Sequence, residues 1–167
     1  PNSEHAFWFR DAAYTTDALD EAGYADTVRQ MLQLIAASQL PSGRYPPIIE
    51  PDGAPQLPLK TEWDTQGEVI FALVDYARQN HDLAFLHEVY PGIWSAARFQ
   101  QSLIAGQRQP SLQGTPFYGI LPAGESAEDL YNADWHHYWD DFWGMAGFQE
   151  AATAARLLGF TNDVASL

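Results

Sequence analysis

The stretch "HHYWDDFWGMAG", residues 136–147, sets Asp140 and Asp141 side by side between tryptophans. Charge in so apolar a setting is costly unless it is paired or used. Two other stretches share this character: "FWFRDA", with Arg10 and Asp11 just after Trp8, and "TEWDTQGE", with Glu62, Trp63 and Asp64. Carboxylates beside an arginine and tryptophans suit a sugar, because indole faces stack on C–H surfaces while charged groups take hydroxyls in bidentate fashion. The economical reaction for carboxylates at such a site is glycoside hydrolysis, in which one acid protonates the leaving oxygen and a second activates water or attacks carbon. An apolar aromatic setting and a neighbouring like charge both raise a carboxyl pKa, as a general acid needs. Adjacent helical residues point about 100° apart, so one of Asp140 and Asp141 is expected to be the acid and the other a structural or sugar-binding partner.

Each residue also has a plainer reading. Helix starts favour acidic residues for capping and for the helix dipole, so Asp11, Asp64 and Asp140 all fit N-terminal caps. The Asp140–Asp141 pair fits a capped helix with an ion pair to an arginine on a neighbouring element. The case for a site rests on convergence of Arg10, Asp11, Glu62, Asp64, Asp140 and Asp141 next to Trp8, Trp63, Trp135 and Trp139. "DDFWG" is similar to the aspartate-rich metal site of all-helical terpene synthases, but Trp143 and Gly144 stand where the third acidic residue belongs. His136 and His137 are adjacent, a spacing that does not chelate a metal from one helix face. There is no P-loop, nucleotide-binding glycine pattern or nucleophile elbow, and no metal or cofactor is expected.

Three stretches with helical periodicity must position these groups, and they read as hairpins near residues 10–39, 65–105 and 140–167. In the first, Ala12, Ala13, Thr16, Leu19 and Ala22 form one face, Gly23 ends the helix, and Val28, Leu32 and Ile35 mark the next. The second breaks at "QNHD", and Pro91 should bend or restart its second helix. The third turns at Gly159. Aligned at their turns, "DEAGYADTV", "YARQNHDLAF" and "ARLLGFTNDV" look like variations on one unit, which points to a helical array or toroid. This length also permits a complete bundle of about six helices. The linkers, 40–64 and 106–139, are long enough to carry function, and Tyr45, Trp63, Phe117, Tyr118, Tyr131 and Trp135 argue against disorder. Each joins one hairpin to the next, so in a toroid both lie on one rim.

With 167 residues, 46% of them hydrophobic, the chain can fill one sizeable core or part of a larger domain. Lys and Arg total 8 against 22 Asp and Glu, a formal charge of −14, which repels nucleic acid and anionic membrane surfaces and favours a neutral ligand. Cysteine is absent, which removes disulfide and thiolate chemistry and leaves the compartment open. No apolar stretch approaches the roughly 20 residues that span a bilayer.

The order of "FWFRDAAYTTDALDEAGY", "EWDTQGEVIFALVDYARQNHDLAFLHEVYPGIWSAARF" and "YWDDFWGMAGFQEAATAARLLG" resembles the six-hairpin, or (α/α)6-barrel, glycosidases, especially glucoamylase-like enzymes and glucosidase domains of glycogen-debranching type. The resemblance covers most of the chain apart from the linkers. It implies an all-α fold, with Arg10 and Asp11 gripping the terminal sugar and the general acid at Asp140, or Asp141 as second choice. It further implies an inverting, exo-acting hydrolase of α-linked glucosides or similar sugars, with an oligosaccharide or disaccharide as substrate. Trp8, Asp64 and the stacking walls Trp63, Trp135 and Trp139 complete the expected sugar site. Glucoamylases usually carry Glu-Glu where this chain has Asp-Asp. The family closes its barrel with six hairpins and draws its general base from the C-terminal half, so three hairpins amount to about half a barrel. On that footing the isolated piece is expected to be inactive and to self-associate through its unpaired edge. The alternatives are a non-catalytic carbohydrate-binding helical module and a helical-repeat scaffold for a protein partner.

Overall fold

A computed structural model describes residues 6–56, 59–125, 127 and 134–167; Tyr131, one of the loop aromatics, lies outside the described residues. The fold is all-α. The helices are α1 (Phe9–Glu21), α2 (Ala25–Ala37), α3 (Thr65–Gln79), α4 (Leu83–Gly106), α5 (Tyr138–Leu158) and the short α6 (Thr161–Val164). A two-residue antiparallel pair, β1 (Phe7–Trp8) and β2 (Ile48–Ile49), ties the start of α1 to the first long linker.

The three turns share one geometry. Gly23, His81 and Gly159 each take a left-handed backbone, with φ of 88°, 53° and 77°. The next residue then reaches back to the carbonyl five positions earlier: Tyr24 N–H to Leu19 (2.9 Å), Asp82 N–H to Ala77 (2.9 Å) and Phe160 N–H to Ala155 (2.8 Å). This arrangement satisfies carbonyls that a helix end leaves open and turns the chain within three residues. Glycine adopts the required φ freely; at the second turn a histidine bears the steric cost.

Each hairpin buries its face on the next. α3 lies at the centre, touching α1, α2, α4 and α5, while α4 also packs on α5. α2 contributes Val28, Leu32 and Ile35, spaced by four and three so that they share one stripe. Each such fully buried aliphatic side chain is worth roughly 1.5–3 kcal/mol over its exposed state. α3 is buried almost all round, so its polar residues need internal partners. Gln66 finds them by pairing with both backbone groups of Tyr45: its amide donates to the carbonyl (3.0 Å) and its oxygen accepts the N–H (2.7 Å), which pins the first linker to α3.

Of the two outcomes expected at Pro91, a bend or a restart, the restart does not occur: α4 runs through Pro91 as one helix. Pro91 and His87, whose carbonyl loses its helical donor, are both on the exposed side, where water can take that donor's place.

The contact that sets the site is between α3 and α5. A Cβ on Gly67 would overlap the Trp143 carbonyl, and one on Gly147 would stand 2.7 Å from the Gly67 Cα. Only glycine permits backbones to approach this closely. The first turns of the two helices are thereby brought together.

Candidate functional site

Arg10, on the first turn of α1, reaches toward the start of α3. Its Nη2 donates to Glu62 Oε2 (2.8 Å), its Nε to Asp64 Oδ2 (2.9 Å) and its Nη1 to the Ala127 carbonyl (3.0 Å). Glu68 Oε1 is 3.8 Å from the same Nε. Lys60 Nζ approaches Glu62 from the other side at 3.5 Å. From α5, Trp139 Nε1 donates to Asp64 Oδ2 at 2.7 Å. Burial works against the charged guanidinium, but Asp64, Glu62 and Glu68 more than offset it, holding Arg10 above its ordinary pKa.

Neither Asp64 nor Asp140 caps its helix. Asp64 sits at the N-cap position of α3 without accepting a capping bond, and both oxygens of Asp140 lack a hydrogen-bond partner. Asp140 is 1% exposed. Burial, then the charges of Asp64 and Asp141, push its pKa up to about 8. A buried carboxyl with no partner is cheap only when it carries its proton.

Asp141 points elsewhere. Its Oδ1 accepts the Leu121 N–H (2.9 Å), and His136 Nδ1 is 2.8 Å from the Leu121 carbonyl. His137 Nε2 lies 3.2 Å from the Gly124 carbonyl, so all three residues hold the second linker against the start of α5. Burial raises the Asp141 pKa, opposed by the Leu121 N–H. The two aspartates thus divide into one facing the carboxyl cluster and one anchoring a loop.

The remaining candidates are spread around this centre. Asp11 is exposed in the first turn of α1 and stands outside the buried network. Trp8 lies under Lys60, whose Nζ is 4.8 Å from the ring centroid. Trp63 is half-buried: it donates to the Ala123 carbonyl (3.1 Å) and carries the Arg44 guanidinium 5.1 Å above its ring. Trp135 is exposed and bridges Gly124 through its backbone. Trp139 is 40% exposed and meets Trp143 edge-on, which in turn meets Tyr14 edge-on. The structure therefore gathers Arg10, Glu62, Asp64, Asp140 and Trp139 into one cluster.

Comparison with known proteins returns no match: no family model, curated protein or solved structure is similar to this chain. The functional reading consequently rests on the geometry and chemistry of the cluster.

Sequence reasoning missed Glu68. It is fully buried, both of its oxygens lack a hydrogen-bond partner, and burial followed by the charge of Asp64 pushes its pKa up to about 10. The available signal was its position four residues after Asp64, which places both carboxyls on one face of α3. Among the described residues, no group of His, Asp and Glu side chains has metal-binding geometry; at the carboxyl cluster Arg10 supplies the positive charge instead.

Proposed function

We propose that this chain is part of the catalytic domain of a glycoside hydrolase, about half of an (α/α)6 toroid. It acts by inversion at the ends of α-linked glucosides or similar sugars. The observation that carries this reading is Asp140: a buried carboxyl without a hydrogen-bond partner, its pKa pushed up by burial, next to an arginine–carboxylate cluster and followed by aromatic side chains on α5. A general acid must hold a proton at working pH and release it to a leaving oxygen, which is the state its surroundings favour. In this reading Arg10 and Asp11 grip the terminal sugar, with Trp139 and Trp135 as stacking faces, and the general base comes from the other half of the barrel.

The array geometry supports the half-toroid. α1 packs on α3 and α3 on α5, while the opposite side of α5 exposes Tyr138, Phe142 and Met145, spaced by four and three. An exposed apolar stripe of that kind is what a row of helices shows where its next member would sit.

The test is release of free sugar from α- and β-linked oligosaccharides by the full protein carrying these residues, with and without Asp140→Asn. Loss of about 1,000-fold in turnover with binding retained supports the assignment. Near-normal turnover removes Asp140 as the acid. Sugar binding without cleavage by the unaltered protein replaces the hydrolase with a carbohydrate-binding module.

A further inference from the structure

Asp64 and Glu68 sit one helical turn apart on α3, both fully buried. Asp64 Oδ2 accepts two hydrogen bonds, from Arg10 and Trp139, whereas Asp64 Oδ1 and both Glu68 oxygens accept none. Every nitrogen of the Arg10 guanidinium already donates elsewhere, to Asp64, Glu62 and the Ala127 carbonyl. Glu68 therefore has no cation to itself, yet its Oε1 stands 3.8 Å from the same Arg10 Nε that holds Asp64 Oδ2 at 2.9 Å, which puts the two carboxyls side by side. Two buried carboxyls sharing one cation are accommodated most readily when one of them keeps its proton and offers it to the other.

The charge balance says which one. Glu62, Asp64, Glu68 and Asp140 face Arg10 and Lys60, four carboxyl groups against two cations. Glu62 is ion-paired to both cations and Asp64 is directly paired with Arg10. The cluster is neutral when Glu68 and Asp140 hold protons. Uncompensated charge at such depth is what a protein interior tolerates least. Tyr14 also faces this cluster, and burial first, then the acidic surroundings, raise its pKa.

We propose that Glu68 is a neutral carboxylic acid donating its proton to Asp64 Oδ1, and that this bond fixes Asp64 so that its Oδ2 orients Trp139 and Arg10 beside Asp140. Glu68 is then a positioning residue that acts through Asp64. Its connection to hydrolysis rests on the function proposed above; the shared proton does not.

The experiment compares the full protein with its Glu68→Gln and Glu68→Leu variants, using two readouts that need no substrate. The first is the infrared carbonyl stretch of a protonated carboxyl at pH 7. The second is the Trp139 indole N–H resonance, assigned with Trp139→Phe. Glutamine keeps a donor to Asp64, so Glu68→Gln should lose one protonated-carboxyl band and leave the Trp139 resonance in place. Glu68→Leu should shift or broaden that resonance. Two results would overturn the proposal: no band lost in Glu68→Gln, or a Trp139 resonance that moves as far in Glu68→Gln as in Glu68→Leu. Should Glu68→Leu fail to fold, the Glu68→Gln band alone still decides. Failure of Asp140→Asn to impair sugar release would sink the hydrolase reading and leave these spectra unaffected.

Discussion

The indole of Trp139 donates to Asp64 across 2.7 Å, linking the first turn of α5 to the N-cap of α3, 75 residues earlier. Asp64 is fully buried, so the bonds its Oδ2 accepts from Trp139 and Arg10 stabilise its charge in place of water. Trp139→Phe keeps an aromatic ring and removes the donor together with part of the indole. It should cost about 2 kcal/mol of stability, in the range of a hydrogen bond to a charged group. Chemical denaturation measures this, and an unchanged midpoint would show that the bond contributes nothing.

Arg10 compensates buried carboxylates that cannot recruit water. Arg10→Leu should destabilise the fold by about 3–5 kcal/mol, because it strands Glu62 and Asp64 without their main partner. Arg10→Lys should recover only part of this, since a point charge cannot reproduce a planar fork reaching three acceptors. Asp11→Ala, one residue on and exposed, should stay within about 0.5 kcal/mol. A larger effect from Asp11 than from Arg10 would contradict the observed division between them.

Stability should fall as pH rises across neutrality. The folded state holds a proton on Asp140 up to about pH 8, whereas the unfolded chain releases it near the ordinary aspartate value. Between these limits the folded state binds more protons, so its stability declines with rising pH. Glu68, pushed up to about 10, extends the same trend into alkaline solution. Asp82 acts in the opposite sense at lower pH: the Phe85 N–H holds its pKa down, and the associated stability is lost only on acidification. Thermal midpoints at pH 5.5, 7 and 8.5 should therefore decrease in that order, and Asp140→Asn should flatten the decrease below pH 8. A variant as pH-sensitive as the unaltered protein would refute the assignment of the proton to Asp140.

Backbone proximity of α3 and α5 yields a steric prediction. Gly67→Ala forces apart helices whose backbones already touch, and should cost about 3 kcal/mol, with loss of the Trp139–Asp64 bond. Loss of the pH-dependent stability assigned to Asp140 should accompany it. An alanine at Gly23 meets no neighbouring atom, so its expected cost of about 1 kcal/mol is purely that of a left-handed backbone. The reverse change at the second turn, His81→Gly, should stabilise by a similar amount, about 1 kcal/mol.

Asp141→Ala should loosen the second linker rather than the core. It removes the acceptor of the Leu121 N–H while leaving His136 and His137 in place. Faster hydrogen exchange in residues 117–125, with the core helices unchanged, is the expected pattern. Uniform destabilisation would instead place Asp141 in the central network.

Features that act within a turn or two of chain were readable from residue order alone: the apolar stripe of α2, the glycine turns at Gly23 and Gly159, and the acidic, aromatic character of the segments entering α1, α3 and α5. These were legible because periodicity and left-handed turns depend on near neighbours. The second turn was legible at "QNHD", but not that His81 takes its left-handed position, since a histidine advertises no such backbone, and Pro91 allowed a restart because its solvent-facing position was unknown. The resemblance ranked Asp140 ahead of Asp141, but the physical difference between two residues that look equivalent in "WDDFW" came from the tertiary structure. Their difference follows from the rotation of α5 against α3, set by the contacts at Gly67 and Gly147. Glu68 was hidden for the same reason. A carboxyl's protonation depends on how far water is excluded and which charges lie nearby, and here those neighbours come from α1, α3 and α5, segments far apart in the chain.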